Sequence, residues 1–482
     1  MTSMAPFWGS IQRVFFDRRM HRQLPCVIAL CALGMCLPAA RAAAQAPPAG
    51  NETPSDAASN QASTESSSNE AQSVLGREAL VSRIEANLEF SRLVTDQKFK
   101  DALPVGEQML KLTQQEFGKN NVETGKAYAE LGDAQRRAKE PEAAEKSFLA
   151  AIDIYRAVEG PFSPLVITPL TGLGDNYHDS GNDLKAVSAY GEARTINRRA
   201  YGLLNEEQIP LIDRMTESLI SMNQPAQADQ QQLEALHLVE RNRAPESPEA
   251  IAAIYKYAAW LGESSRYQEE RDQYMRAVRT IRDSYGKADV RLVHPLTAIG
   301  NSFRVQRIPD GQGASSLNDA LTLLLAQPQR DPLAIAEVLR DLGDWDTAFS
   351  KVDYNGAEYR RAWQLLGEMP NGADLRTSWF KGPIYVLREP ISQRGLSQDP
   401  QAPMGHVLVR FDLDSAGHSS NVTIVESEPP GLKDEAVLRH VRRSRFRPQI
   451  VDGELAPAMG LALQFNYRYS PDALAETGKS AD

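Results

Sequence analysis

The chain has 482 residues, which is enough for about three domains of ordinary size. Its 42% hydrophobic and 24% charged residues, with a mean hydropathy of −0.42, are typical of a globular protein and exclude a membrane protein with many spans. The 53 basic and 63 acidic residues give a net charge of −10, so the overall charge does not favour binding to nucleic acid.

The start of the chain carries the features of a secretory signal peptide. Four arginines precede an apolar run from Cys26 to Leu37, and an alanine-rich stretch that ends at Ala44 follows it. The run is shorter than the roughly 20 apolar residues that a membrane-spanning helix needs. We therefore predict a signal peptide over residues 1–44, cleavage after Ala44 or Ala42, and export to the periplasm. An uncleaved segment would instead anchor the chain in the inner membrane, with the rest on the periplasmic side.

Residues 45–78 hold few large apolar side chains and many Ser, Asn, Gln and Glu residues. Such a segment cannot bury enough apolar surface to offset the loss of chain entropy, so a disordered linker is predicted. The three cysteines of the chain, Cys26, Cys31 and Cys36, all precede this linker. The protein that remains after cleavage is therefore expected to fold without disulfides.

Several positions recur at a constant step of 42 residues in the middle of the chain. One series consists of Leu131-Gly132, Leu173-Gly174, Met215-Thr216, Tyr257-Ala258 and Ile299-Gly300. A second series is alanine throughout: Ala102, Ala144, Ala186 and Ala228. Small residues at a fixed period are typical of paired helices that cross closely, with larger residues wedged between neighbouring pairs. The period therefore predicts a stack of helix hairpins.

The repeated motif also resembles that of a known family. Leu131-Gly132, together with Ala144, Phe148 and Ala151, resembles the tetratricopeptide repeat pattern. The step of 42 residues, longer than the usual step of about 34, resembles the kinesin-light-chain-like variety. The resemblance implies an all-α helical solenoid over residues 79–370, with a concave face lined by the first helix of each repeat.

The resemblance also implies that this concave face binds proteins or peptides. Polar residues at repeat spacing on the first helices are the predicted partner-binding residues: Asp133, Arg136, Asp175, His178, Asn301, Arg304, Arg340 and Asp344. Exposed charges are ordinary on any helix that faces water, so a solvated helix face is the alternative interpretation of each residue.

The spacing of apolar residues changes from helical to alternating after about residue 381. Val407, Val409, Phe411 and Leu413 alternate along one predicted strand, and a turn and a second strand follow. A helix is predicted up to Arg443, and Pro448 lies just beyond it. The last alternating segment runs from Leu461 to Tyr467. The predicted order is strand, strand, helix and strand.

Three motifs of this segment carry a second resemblance: Gly405 to Phe411, the turn residues Asp414 and Gly417, and the run Arg445-Phe446-Arg447-Pro448. Together they resemble the C-terminal domain of the TonB energy transducers. The resemblance implies a small α/β domain with an antiparallel sheet and one helix. The predicted boundaries are a linker over residues 371–380, the domain over 381–470 and a flexible tail over 471–482. The whole chain is then an α+β protein.

In that family an exposed strand edge captures an extended peptide by adding it to the sheet. The resemblance assigns this edge to the last strand, and the predicted partner-binding residues there are Leu461, Leu463, Phe465 and Tyr467. Because an open edge also pairs with a second copy of itself, a homodimer through this domain is a further prediction.

Five arginines without a neighbouring acid lie in and after the predicted helix: Arg439, Arg442, Arg443, Arg445 and Arg447. One interpretation is a solvated helix face. The other is contact with anionic lipid headgroups or with an acidic partner.

The motifs lead to a prediction of binding rather than catalysis. No phosphate-binding loop, nucleophile elbow, dinucleotide motif or zinc-ligand spacing occurs, so no catalytic residue, metal or cofactor is predicted. We predict a non-enzymatic periplasmic adaptor whose groove and terminal domain each bind a protein or peptide, such as an outer-membrane receptor or another envelope protein, and not nucleic acid.

Two other functions stay open from the sequence. The first alternative is an energy transducer, anchored in the inner membrane, for TonB-dependent outer-membrane transport. The apolar segment lacks the histidine of such transducers, which puts coupling to a proton channel in doubt. The second alternative is an enzyme whose site the sequence does not reveal.

Overall fold

The computed structural model describes residues 78–349, 356–397, 399 and 401–470. The predicted signal peptide over residues 1–44 and the predicted tail over 471–482 lie outside the described residues. So does the predicted linker over 45–78, except for its last residue.

The part of the chain before the sheet consists of helices arranged in pairs. In chain order they are α1 (78–95), α2 (Phe99–Phe117), α3 (Val122–Arg137), α4 (Pro141–Glu159), α5 (Ile167–Asp179), α6 (Asp183–Tyr201), α7 (Ile209–Ser221), α8 (Pro225–Asn242), α9 (Pro248–Glu263), α10 (Tyr267–Tyr285), α11 (Val293–Val305), α12 (Gly311–Leu325), α13 (Pro332–Phe349), α14 (Ala357–Gly367) and α15 (Gly372–Phe380). From α1 to α14 each odd-numbered helix is the first of a pair and the next helix is the second, and α15 follows the last pair.

Glycines at the repeat spacing end several second helices. Gly118, Gly160, Gly202 and Gly286 follow α2, α4, α6 and α10, with φ between 87° and 99°. A side chain would be strained at such a positive φ, whereas glycine adopts it readily. The chain then turns into the next first helix, in several repeats through one turn of 3-10 helix.

Alanine and glycine allow the two helices of a pair to approach closely. Ala144 on α4 and Ala186 on α6 are both 0% exposed. A Cβ atom added to Gly174 on α5 would lie 2.4 Å from the ring of Tyr190 on α6, which is closer than non-bonded atoms approach. The small residues predicted at the helix crossings are buried there, and the all-α solenoid is confirmed.

The structure differs from the sequence prediction at residues 371–380, which were predicted to be a linker. They contain α15, and its last residue, Phe380, is 2% exposed. The Phe380 ring lies 5.6 Å from that of Tyr359 and 5.8 Å from that of Trp363 on α14. The turn signal at Pro370-Asn371-Gly372 marks only the start of this segment, because packing against α14 forms the helix that follows.

Residues 385–468 form antiparallel strand pairs and one helix. The strands are β1 (Tyr385–Leu387), β2 (Met404–Leu413), β3 (Ser419–Glu428), β4 (Arg445–Phe446), β5 (Gln449–Val451), β6 (Glu454–Ala456) and β7 (Ala458–Arg468), and the helix is α16 (Asp434–Arg443). The main sheet has the order β3–β2–β7, while β1 pairs with β4 and β5 with β6. The predicted strand, strand, helix and strand correspond to β2, β3, α16 and β7, and the α+β fold class is confirmed.

The core of this domain lies between the main sheet and α16. Val407, Val409 and Phe411 of β2 are 0% exposed, and Val437 and Val441 of α16 lie in the same apolar cluster. The alternation along β2 thus arises because one face of the strand is buried and the other is not.

Candidate functional site

The structure places all eight predicted groove residues on first helices of the repeat pairs. It divides them into two groups of four. Asp133, Arg136, Asp175 and His178 lie on α3 and α5, and the last three of them line an open pocket. Asn301, Arg304, Arg340 and Asp344 lie on α11 and α13, where the terminal domain contacts the solenoid.

The open pocket, called here the N-terminal pocket, has a volume of 390 Å³. Three successive first helices, α3, α5 and α7, contribute to it, which shows that these helices share one face of the solenoid. The lining residues are Arg136, Asp175, His178, Asp179, Tyr190, Pro210, Asp213, Arg214 and Glu217. Four carboxylates and two arginines therefore face the same space.

Arg136 joins the first two repeats at one side of the pocket. Its guanidinium donates to Asp133 at 2.9 Å within α3 and to Asp179 at 2.7 Å at the end of α5. The Arg136 side chain is 18% exposed, so these ion pairs are partly shielded from water. Asp133 itself holds Arg136 and does not line the pocket.

Asp175 is fixed at the base of the pocket by its own repeat and by the next one. Its Oδ1 atom accepts a hydrogen bond from the Tyr190 hydroxyl at 2.8 Å and another from Nε of Arg214 at 2.8 Å. Burial, together with the adjacent Asp175 carboxylate, raises the pKa of Tyr190. The tyrosine hydroxyl therefore keeps its proton and acts as a permanent donor to Asp175.

His178 and Glu217 complete the lining. Nδ1 of His178 lies 2.5 Å from Oδ1 of Asp183 and 3.1 Å from the Ser218 hydroxyl. Partial burial raises the pKa of Glu217, which forms no hydrogen bond or ion pair with any residue in the described part of the chain. Glu217 is thus a pocket carboxylate left available to a ligand.

The second group lies against the terminal domain, in a cluster called here the domain contact. Asp344 of α13 is 2% exposed and receives two hydrogen bonds from Arg447, both at 2.8 Å, in a bidentate pair. The Tyr359 hydroxyl donates to the same carboxylate at 2.6 Å. Burial alone would raise the pKa of Asp344, but attraction to the Arg447 guanidinium outweighs it and lowers the pKa to about 2.

The other three residues of this group support the domain contact or lie beside it. Arg304 donates to the backbone carbonyl of Val386 in β1 at 2.5 Å and to Asn301 at 3.1 Å. Arg340 bonds to the neighbouring Asp341 and lies 4.5 Å over the ring of Trp379 on α15. These residues were predicted to bind a partner. In this chain Arg304 and Asp344 contact the terminal domain, which occupies their end of the solenoid.

The sequence prediction assigned the wrong surroundings to Arg447. It was grouped with four other arginines in a basic run, yet its side chain is 9% exposed while that of Arg443 is 66% exposed. Arg447 is therefore not part of a solvated face, and the acid that it pairs with is Asp344, 103 residues away in the same chain rather than in another molecule. No alternation marks this residue in the sequence, because Phe446, Arg447 and Pro448 are buried one after another.

The predicted edge residues Leu461, Leu463, Phe465 and Tyr467 lie on β7 with their side chains in the domain core, under α16. β7 pairs with β2 along one side. On its other side, residues 458–467 form no backbone hydrogen bond within the described structure, and Ser397 covers only the end of the strand by donating to Arg468 at 2.9 Å. The surface available to a partner is therefore the unpaired backbone edge of β7.

Two kinds of site are absent from the part of the chain that the structure describes. No group of three or more His, Cys, Asp or Glu side chains is arranged to hold a metal ion. In the same residues, no helix combines the length and the apolar character that crossing a bilayer requires.

Comparison with known families agrees with both resemblances. Residues 401–469 match the family described as Gram-negative bacterial TonB protein C-terminal, and residues 137–199 match the tetratricopeptide repeat. Both resemblances predicted from the sequence are thereby confirmed. No curated protein sequence matches the chain.

Solved structures similar to the chain include tetratricopeptide-like proteins. A putative kinesin light chain with nearly identical repeats from Podosopora anserina is 13% identical, with a TM-score of 0.37, over 42% of this chain and 97% of that one. BtubC from P. vanneervenii is 14% identical, with a TM-score of 0.34, over 55% of this chain and 98% of that one. The pilF protein of Pseudomonas aeruginosa is 16% identical, with a TM-score of 0.31, over 54% and 97%.

Proposed function

We propose that this chain is a non-enzymatic adaptor of the periplasm, in which the solenoid binds one protein or peptide and the terminal domain binds another. The observation that carries the proposal is the separation of two open surfaces. The N-terminal pocket lies on α3, α5 and α7, while the open edge of β7 lies in the terminal domain. Neither surface takes part in the contact between solenoid and domain that Arg447 and Asp344 form.

The chemistry of the pocket supports binding rather than catalysis. Asp175, Asp179 and Asp213 are held by arginine, tyrosine or lysine partners, as in a preformed recognition surface. Both matched families typically serve as scaffold or adaptor domains. Fixed polar groups in a groove can orient a bound partner and make its binding specific, and they need no catalytic group to do so.

The edge of β7 supports the second binding role. An unpaired strand offers amides and carbonyls to an extended peptide, which adds to the sheet as a further strand. The core-facing side chains of Leu463 and Phe465 hold β7 in register with Val409 and Val407 of β2, so the edge is rigid before a partner arrives.

An energy transducer anchored in the inner membrane is the second candidate, and the match of residues 401–469 to the TonB C-terminal family favours it. The buried Arg447–Asp344 pair argues for the adaptor instead, because a transducer domain that reaches outward would have to break it.

Site-specific photo-cross-linking in the exported protein tests the adaptor. A photoreactive amino acid replaces Glu217 in the pocket in one variant and Gln464 on β7 in a second. A third variant carries it at Leu184 of α6, which is 74% exposed outside both surfaces and serves as the control. We expect defined cross-linked proteins from positions 217 and 464 and none from 184. Cross-links from neither position, or the same pattern from all three, would contradict the proposal.

A further inference from the structure

The open N-terminal pocket and the closed domain contact are built from corresponding residues of two repeats. Asp133, Arg136, Asp175 and Tyr190 correspond to Asn301, Arg304, Asp344 and Tyr359, which lie 168 or 169 residues further along the chain. This distance is four repeats of 42 residues, with one extra residue for the last two positions. The two sets therefore occupy the same places on successive first and second helices.

The geometry of the two sets agrees in detail. Tyr190 donates to Asp175 at 2.8 Å, and Tyr359 donates to Asp344 at 2.6 Å. In both repeats the tyrosine ring packs on the glycine before the aspartate, and a Cβ atom added there would lie 2.4 Å from the ring. In each repeat, a tyrosine that packs on the preceding glycine therefore fixes the aspartate by a hydrogen bond.

The residues at the domain contact, Asp344 and Tyr359, show which chemical group this arrangement binds. Arg447 belongs to the extended segment Arg445–Pro448 of the terminal domain, and its guanidinium donates to both oxygens of Asp344. A planar guanidinium matches a carboxylate in this bidentate way, whereas the ammonium of lysine acts as a single point charge. The group bound at the domain contact is thus an arginine that follows a short strand in an extended segment.

The N-terminal pocket has room and free acceptor atoms for a second arginine side chain. Arg214 reaches only Oδ1 of Asp175, and within the described residues nothing donates to Oδ2. Glu217 adds a second carboxylate, to which no residue in the described part of the chain donates a hydrogen bond. The pocket volume of 390 Å³ is within the range of about 300–1,000 Å³ of ligand pockets, and its lining carries more carboxylates than arginines.

We propose that the N-terminal pocket binds an arginine side chain presented by an extended segment of a partner protein, with the guanidinium between Oδ2 of Asp175 and the carboxylate of Glu217. The inference rests on the proposed adaptor function and names the chemistry of the partner at its pocket. The terminal domain, through Arg447, is the intramolecular example of the same recognition.

A labelled peptide with the sequence of residues 444–450, Ser-Arg-Phe-Arg-Pro-Gln-Ile, is the probe, and its fluorescence anisotropy is measured with the full exported chain. We expect binding that weakens about tenfold or more for Glu217→Gln and for Asp175→Asn, since each removes a charged acceptor. The matched control is Asp229→Asn on α8, an aspartate held by Arg266 and Trp260 outside the pocket, which should leave binding unchanged. Glu217→Gln tests the site even if Asp175→Asn disturbs folding, because Glu217 forms no hydrogen bond or ion pair within the described residues and only the longer-range attraction of His178 and Arg214 is lost.

A second peptide, with lysine in place of both arginines, tests the guanidinium itself and should bind about tenfold more weakly. Equal binding of the two peptides, equal binding to wild type and Glu217→Gln, or no binding at all would overturn the inference. If the peptide fails while the cross-link at position 217 persists, the arginine chemistry is wrong and the adaptor function stands. If both fail, the pocket has neither role.

Discussion

At the scale of single residues, Arg447 and Asp344 determine how the terminal domain meets the solenoid. Both side chains are almost fully buried, and each satisfies the charge of the other in a bidentate pair to which Tyr359 adds a hydrogen bond. A buried pair of this kind gains little free energy over an apolar pair of similar shape, but it penalises any arrangement in which one charge loses its partner. The pair therefore specifies one way of docking the two parts.

Removing one partner of this pair should destabilise the protein strongly. We expect Arg447→Met to lower the free energy of unfolding by about 3–5 kcal/mol, because it leaves the Asp344 carboxylate buried without a counter-charge. The double variant Asp344→Leu with Arg447→Met should lose less than the sum of the two single variants. Urea unfolding of the four proteins measures the coupling, and additive effects would show that the pair does not act as a unit.

The same pair predicts a dependence of stability on pH. The pKa of Asp344 is lowered to about 2 in the folded chain, below the value of about 4 for an unfolded aspartate. Its contribution to stability is therefore fully present above pH of about 4 and is lost as the pH falls towards about 2. We expect the difference in unfolding free energy between wild type and the double variant to shift by about 2 kcal/mol across that interval. A difference that does not change with pH would contradict the ion pair.

At the scale of secondary structure elements, the helix crossings and the β7 edge carry the fold and the proposed binding. The crossings depend on alanines with no exposed surface, such as Ala144 and Ala186, and on glycines that seat an aromatic ring of the partner helix. The edge depends on the opposite property, since β7 is held on one side only. Changes at the crossings should therefore affect stability, and changes at the edge should affect binding.

A bulky side chain at a helix crossing tests whether the crossings determine stability. We expect Ala186→Trp on α6 to lower the free energy of unfolding by about 1–3 kcal/mol or more, because the close approach of α5 leaves no space for the indole ring. Leu184→Trp on the same helix is the matched control, since Leu184 is 74% exposed. Melting temperatures compare the two, and an equal melting temperature for both variants would show that the crossing is not tightly packed. Ala144→Trp on α4 should behave like Ala186→Trp.

Proline substitutions on β7 test whether the edge of this strand binds a partner. Neighbouring residues of a strand point their amides to opposite sides, so Leu463→Pro and Gln464→Pro remove amides on different sides of β7. We expect one variant to lose the pairing with β2 and unfold the domain. The other should stay folded by circular dichroism and lose the cross-link from the β7 edge. If both variants stay folded and both still cross-link, partner capture does not use this edge.

At the scale of the whole molecule, the solenoid and the terminal domain are joined by more than a covalent connection. Besides the Arg447–Asp344 pair, Arg307 pairs with Glu389 and Arg360 pairs with Glu454. The domain occupies one end of the face formed by the first helices, and the N-terminal pocket stays open at the other end. The arrangement presents the pocket and the β7 edge at fixed positions, as the proposed adaptor would require.

The fate of the first 44 residues separates the adaptor from the transducer. We expect the exported protein to begin near Ala43 or Gln45 and to appear in the periplasmic fraction, because the apolar run is short and ends in an alanine-rich stretch. N-terminal sequencing after cell fractionation measures this. A chain that begins at Met1 or Met20 and stays with the inner membrane would favour the transducer.

The sequence by itself determined the local structure and the resemblance of two parts of the chain to known families. The step of 42 residues predicted the helix pairs because each repeat has to solve the same packing problem, with small residues where helices cross. The alternation along Val407, Val409 and Phe411 predicted β2 because one face of a strand is buried. The alternation relates residues two positions apart, and the 42-residue period repeats one local motif, so both patterns can be read from the sequence alone.

Only the tertiary structure decided which polar residues have partners. Asp175 and Asp344 carry the same local pattern, a leucine and a glycine before them and a tyrosine 15 residues after, yet one faces an open pocket and the other a buried arginine. Arg447 and Arg443 likewise belong to one basic run, and only Arg447 is buried. The difference arises from contacts across about 100 residues of chain, because where a side chain meets its partner depends on how whole elements dock and not on local spacing.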